Sequence, residues 1–304
     1  MANASQGVFT KFCTEPGAAP HTFDSGSEPF EFLAENLAKH GPLFNPDGIR
    51  GTRSACFNRT RKGPYTVRGQ IRMNPSPYDL AIWLPRILGA AASGTTFALA
   101  ETLPSFGCLF DRVAETFEYT DCQVDKAVFR GHASTSGASP PFIEMTLDIV
   151  GKTEVTDTSY PAVTLDCSSL AHQPYIFSEG VVTLSGSARN IMNFVLLIDN
   201  HLDVRFTNSI TATSITPTNR TIALRTTNPY TSDETDLYDQ AVAGAAGSLV
   251  FTNSTVSTTF TFAKLQVPAR SPTVMGKQEI PLYLDMISRE AGTKELIVTN
   301  DSTV

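Results

Sequence analysis

The sequence writes nearly the same strand twice, FIEMTLDIV at residues 142–150 and EIPLYLDMI at residues 279–287. Ile143 stands over Ile280, Met145 over Leu282, Leu147 over Leu284 and Asp148 over Asp285. Successive side chains of a strand point to opposite faces. Ile143, Met145, Leu147 and Ile149 therefore share one face, and Glu144, Thr146 and Asp148 share the other. In the second copy Ile280, Leu282, Leu284 and Met286 oppose Pro281, Tyr283 and Asp285. This alternation marks a strand with one side on a core and one side wet. The two copies are separated by close to half of the 304-residue chain, which points to an internal repeat.

Working outward, four more segments recur in the same order. NIMNFVLLIDN (190–200) echoes residues 26–36, with Asn200 over Asn36. A strand, an Asn-Pro step and an Asp-Leu helix opening occur both in VRGQIRMNPSPYDLAIWLPRILG and in TIALRTTNPYTSDETDLYDQAVAG. SLVFTN matches TFALAE, and TTFTFAKLQVPA matches ETFEYTDCQVDK. The order predicts two tandem β-rich units, each with one flanking helix: an N-terminal arm at 1–29, a first unit at 30–155, a linker at 156–174 and a second unit at 175–304. The first helix is the better marked. Ser76 can cap it, Pro77 suits its first position, Asp79 favours its positive end and Gly89 its stop. Pro85 predicts a kink, and Pro281 predicts an edge or bulge. Residues 30–40 fit a strand or a short helix, and 41–66, punctuated by Gly and Pro, read as a long loop.

Charged residues make up only 17% of the chain, while Thr, Ser and Phe are abundant, a profile suited to pleated sheets. The net charge of −7 makes the chain a poor general binder of nucleic acid. Its five cysteines are widely spaced without a C-x-x-C pair, which suggests free, mostly buried thiols. No leader or membrane-length run stands out, so a soluble protein made in cytoplasm is expected. The five histidines form no metal-binding pattern, and no phosphate loop or nucleophile elbow is present; no enzyme activity, metal or cofactor is expected. DCSSLAH brings Cys167 near His172, and SDETDLYD gathers Asp233, Glu234, Asp236 and Asp239. A linker thiol and a helix entry account for these.

Two surfaces remain as candidates. Arg50, Arg53, Arg59, Arg61 and Lys62 make one strongly basic loop, continued by Arg68 and Arg72. A contact with acidic surface on a neighbouring protein is the favoured reading; a solvated loop and a nucleic-acid contact compete with it. The second surface is the polar, acid-tipped side of the repeated strand, to which AETFEYT adds Thr116, Glu118 and Thr120.

GVF followed by EPG near the start, NPSPYDLAIWLPRILG, ETFEYTDCQVDKAVFRG, VVTLSG with NFVLLIDN, and VMGKQEIPLYL occur in an order that resembles the tail tube proteins of long-tailed, non-contractile bacteriophages. The resemblance implies β-sandwich or barrel units that form rings around a channel and stack into a tube for the genome. A duplicated chain is then expected to form trimers that imitate six-fold symmetry. It further implies a lumen lined by Glu118, Glu144, Thr146, Asp148, Tyr283 and Asp285, through which DNA passes without specific binding. The acidic lining is expected to work by repulsion. Arg50, Arg53, Arg59, Arg61 and Lys62 fall where such units carry a loop that contacts the next ring. Implied partners are further copies of the chain and the tail terminator, distal tail and tape measure proteins, with no membrane. A duplicated β-sandwich baseplate or receptor- and carbohydrate-binding module is the alternative, although the single Trp83 lies in a predicted core helix.

Overall fold

A computed structural model describes residues 6–133, 141–157, 159–166, 168–231, 235–268, 274, 277 and 280–302. In the first half the elements are β1 (Lys11–Pro16), β2 (Glu28–Pro29), β3 (Ala34–Glu35), β4 (Ala38–His40), β5 (Leu43–Phe44), β6 (Arg61–Lys62), β7 (Thr66–Met73), α1 (Pro77–Leu88), β8 (Thr96–Ala98), β9 (Phe106–Asp111), β10 (Thr116–His132), β11 (Glu144–Gly151) and β12 (Thr153–Asp157). In the second half they are β13 (Gly180–Leu184), β14 (Ser187–Arg189), β15 (Asn193–Asp199), β16 (Leu202–Arg205), β17 (Ser214–Pro217), β18 (Thr221–Pro229), α2 (Thr235–Ala243), β19 (Ala245–Asn253), β20 (Val256–Gln266), β21 (Pro281–Arg289) and β22 (Leu296–Asp301). The fold is mainly β, and its named strands pair antiparallel throughout.

One sheet runs through both halves in the order β3/β4, β7, β11, β10, β15, β18, β21. Its seam is the pairing of β10 with β15, from Lys126 opposite Asp199 to His132 opposite Asn193. The succession β7–β11–β10 recurs as β18–β21–β20. Each half adds a second layer: β2–β1–β9–β10–β12 in the first, and β14–β13–β19–β20–β22–β8 in the second.

β10 belongs to both layers. Thr116–Cys122 pairs with β9 and β12, and Gln123–His132 with β11 and β15. The strand makes this turn through register shifts at Tyr119/Cys122 and Val124/Lys126, with Asp121 at φ 49°. Bulges of this kind bend a strand and increase its twist. Asp121 is fixed there by Ala19 N, which donates to Oδ1 at 3.0 Å, and by Lys152 Nζ at 3.2 Å from Oδ2.

The core lies between the layers. Ile143, Met145, Leu147 and Ile149 are buried, as are Leu282, Leu284 and Met286, on the side that their alternation predicts. Helix α1 caps one end of the core. Ser76 and Asp79 form a reciprocal capping box, Pro77 opens the helix, and Gly89 closes it at φ 95°. Trp83 is fully buried and packs against Phe12, Phe30 and Phe106. Truncating such a side chain to alanine costs about 3–5 kcal/mol. Two asparagines of the second half tie the helix down. Asn300 Nδ2 donates to Pro77 O at 2.9 Å, and Asn200 Nδ2 donates to Ile87 O and Val124 O, both at 3.1 Å.

Several expectations change. The segment 1–29 is more than an arm: Lys11–Pro16 is a sheet strand whose Phe12, Cys13 and Thr14 are buried. The Gly- and Pro-punctuated stretch after it, up to β2, is a loop. Residues 30–40 hold two short strands. α1 continues through Pro85 to Leu88. Pro281 is the first residue of β21, where a missing N–H is tolerated. The counterpart of β19 is β9, FGCLFD, which pairs with β10 as β19 pairs with β20; TFALAE instead supplies β8, paired with β22. β9 has no alternation to announce it, since Phe106–Phe110 are all buried.

Candidate functional site

The wet face of the continuous sheet is built from four cross-strand rows. The first is Gln70, Asp148, Lys126, Asp199 and Thr221. The second is Arg72, Thr146, Val128, Leu197, Ala223 and Ile287. The third is Glu144, Arg130, Val195, Arg225 and Asp285, and the fourth His132, Asn193, Thr227 and Tyr283. The sheet thus brings together Glu144, Thr146, Asp148, Tyr283 and Asp285 on one surface. Glu118 is not with them. It lies on the part of β10 that precedes the bend, opposite Leu109 and Val155 in the other layer.

The face is not predominantly acidic. The four rows carry four carboxylates (Glu144, Asp148, Asp199 and Asp285) and four bases (Arg72, Lys126, Arg130 and Arg225). Arg72 grips Glu144 through two contacts, Nη2 to Oε2 at 2.6 Å and Nε to Oε1 at 3.2 Å. Arg225 Nε donates to Asp285 Oδ1 at 2.8 Å. Lys126 Nζ lies 3.4 Å from Asp199 Oδ2, across the seam. The hydrogen bond and charge of Glu144 raise the Arg72 pKa. Burial raises that of Asp148, with Asp125 and Asp199 adding to it while Gln70 and Lys126 pull it down. Opposite charges across neighbouring strands stabilise a sheet, whereas like charges there destabilise it. The net charge of −7 therefore does not reside on this face.

The basic loop forms a separate two-stranded ribbon, with Leu43 opposite Lys62 and Phe44 opposite Arg61. Arg53, Arg59, Arg61 and Lys62 are exposed. Arg50 is half-buried and folds back, donating from Nη2 to Pro46 O at 2.7 Å. The ribbon also exposes large apolar groups that charge-based reading passes over: Leu43, Phe44, Ile49 and Phe57, the last 90% exposed. Its base rests on the second half, where Tyr65 N donates to Ile210 O at 2.8 Å. The ribbon leaves the sheet at the Thr66 end of β7; Phe142, Tyr230 and Tyr283, all exposed, mark the other end.

Cys13, Cys108 and Cys122 are buried free thiols, and Cys56 is exposed on the ribbon. Burial pushes Cys13 up to about 12. Cys167, Asp233 and Glu234 lie outside the described residues. His172 lies against Tyr78, with ring centres 4.3 Å apart and the rings tilted by 31°. No cluster of His, Cys, Asp or Glu among the described residues is arranged to hold a metal ion.

A mainly β chain whose sheet passes from one half to the other and whose polar face carries as many bases as carboxylates has the character of a structural protein. The profile of the phage tail tube protein family matches residues 14–287, and the chain belongs to that family. It is a structural component of a bacteriophage tail. A search of curated proteins finds no match.

Proposed function

We propose that copies of this chain close edge to edge into rings that stack as the tail tube, the conduit for genome delivery. The observation that carries this reading is the β10–β15 seam, where the last inner strand of one half pairs with the first inner strand of the other. β3 and β4 hold the place in the first half that β15 holds in the second, and among the described residues they pair only with β7. An unpaired edge is a template for another chain, and closure removes it. A contact between unlike patches that closes by rotation gives a ring. With two units per chain, at 30–155 and 175–304, three chains supply six equivalent sectors.

In this arrangement the face bearing Glu144, Thr146, Asp148, Tyr283 and Asp285 is the inner wall. The ribbon with Arg50, Arg53, Arg59, Arg61 and Lys62 reaches the next ring, where Leu43, Phe44 and Phe57 are covered. The tube's other partners are the tail terminator, distal tail and tape measure proteins. Sedimentation and negative-stain microscopy of the purified protein test the reading. Trimeric rings or tubes are expected, and a compact monomer at high concentration overturns it.

A further inference from the structure

A wall built of free guanidinium groups holds DNA, because each fork matches a phosphate. A wall of bare carboxylates repels it, but opposed carboxylates on neighbouring strands weaken the sheet. At Arg72 and Arg225 the rows described above do neither, while Arg130 stays exposed. Arg72 is occupied by Glu144 at 2.6 Å, and Arg225 by Asp285 at 2.8 Å. Lys126 stands between Asp148 and Asp199. Glu144 also faces Arg130 across the β10–β11 pair. A set of close ion pairs presents dipoles to the space beyond it. Their field falls off faster than that of single charges, and salt damps it further over about 8 Å.

We propose that Glu144 and Asp285 are guard residues that occupy Arg72 and Arg225, so that these two guanidinium groups of the wall are not free for duplex DNA. The proposal rests on the reading that this face lines the channel. It assigns the low adhesion of the wall to cross-strand pairing instead of to net negative charge. Removing a guard exposes a guanidinium without moving it, since the arginine stays on its strand. The same liberated cations recur in every copy around a ring and along a tube, so weak contacts add up.

The test uses assembled tubes and short duplex DNA, with DNA retention measured by co-sedimentation. Asp285→Asn and the Glu144→Gln/Asp285→Asn double variant are expected to retain at least about tenfold more DNA than the parent at about 50 mM salt. That excess is lost at about 200 mM, because phosphate contacts release counterions. Arg72→Gln/Glu144→Gln, which removes guard and guarded together, is expected to stay at the parent level. The Arg225–Asp285 pair is well exposed, so Asp285→Asn provides a folded variant even if Glu144→Gln does not assemble. Retention equal to the parent by tubes of both guard variants overturns the proposal. Thr146→Cys, with Cys56 and Cys167 replaced by serine, tests the underlying reading separately. Labelling by a small maleimide but not by a polymer-bound one supports an inner wall. Equal labelling by both puts the face outside and overturns that reading, whatever the DNA result.

Discussion

Lys126 of β10 and Asp199 of β15 face each other across the seam where the inner strands of the two halves pair, with Nζ 3.4 Å from Oδ2. Lys126 is also opposite Asp148 on its other side. One cation therefore serves carboxylates from both halves, and the seam is fixed in register by charge as well as by its ladder.

A double-mutant cycle on Lys126→Met and Asp199→Asn should show this coupling. Urea unfolding is expected to give about 0.5–1 kcal/mol of interaction energy, the range for a partly exposed pair. A coupling of zero removes the pair from any role in register.

Arg86 is the single base of α1 and is buried. It donates to Thr14 Oγ1 at 2.8 Å and to Glu28 Oε2 at 2.9 Å, and it lies over the rings of Trp83 and Phe106. Burial lowers the Arg86 pKa and raises that of Glu28, so both charges are held at a cost that their pairing offsets in part. Glu28→Gln leaves a charged guanidinium without its counterion. A loss of about 2–4 kcal/mol is expected by thermal unfolding, discounted because Glu28 is partly exposed. Removing both partners, Glu28→Gln with Arg86→Met, is expected to cost less than Glu28→Gln alone.

Asp148 carries a pKa above its ordinary 3.8, chiefly through burial. A carboxyl raised in the folded state contributes stability that is fully present below its unfolded pKa and is lost as pH rises through the folded value. Asp148→Asn should therefore be more stable than the parent at neutral pH, and the gap should close on acidification toward pH 4. Tm measured against pH checks this. A variant that is less stable at pH 7 contradicts the sign.

Arg59 and Arg61 sit on the ribbon, away from the core. Arg59→Glu with Arg61→Glu is expected to leave the unfolding free energy within about 0.5 kcal/mol of the parent, as surface changes usually do. Electron microscopy is expected to find rings but few tubes. Tubes of parental length from this variant show that the ribbon charges play no part in stacking.

Where alternation was strong, the sequence was informative. Ile143 to Ile149 and Leu282 to Met286 bury the predicted side. Ser76, Pro77, Asp79 and Gly89 mark the helix because caps act through local backbone geometry. Phe106–Phe110 carried no such signal: a strand buried on both faces has no polar residues to set a period. The bend in β10 was also hidden, since the left-handed turn falls on Asp121, not on a glycine. That concealment is why Glu118 was grouped with Glu144 and Asp148. The charge balance of the polar face was out of reach for a different reason. Arg72 with Glu144, and Arg225 with Asp285, are neighbours only through strand register, which a count of net charge does not contain.

The 17 residues of β10 have a further mechanical consequence. At about 3.3 Å per residue the strand spans roughly 55 Å, and it enters both layers without a break in the chain. The two layers of the first half cannot shear past each other without deforming a continuous run of peptide bonds. A load pushing on the polar face is thus borne by covalent backbone before it reaches the packed side chains, in the manner of a rib that holds two hull plates at a fixed spacing.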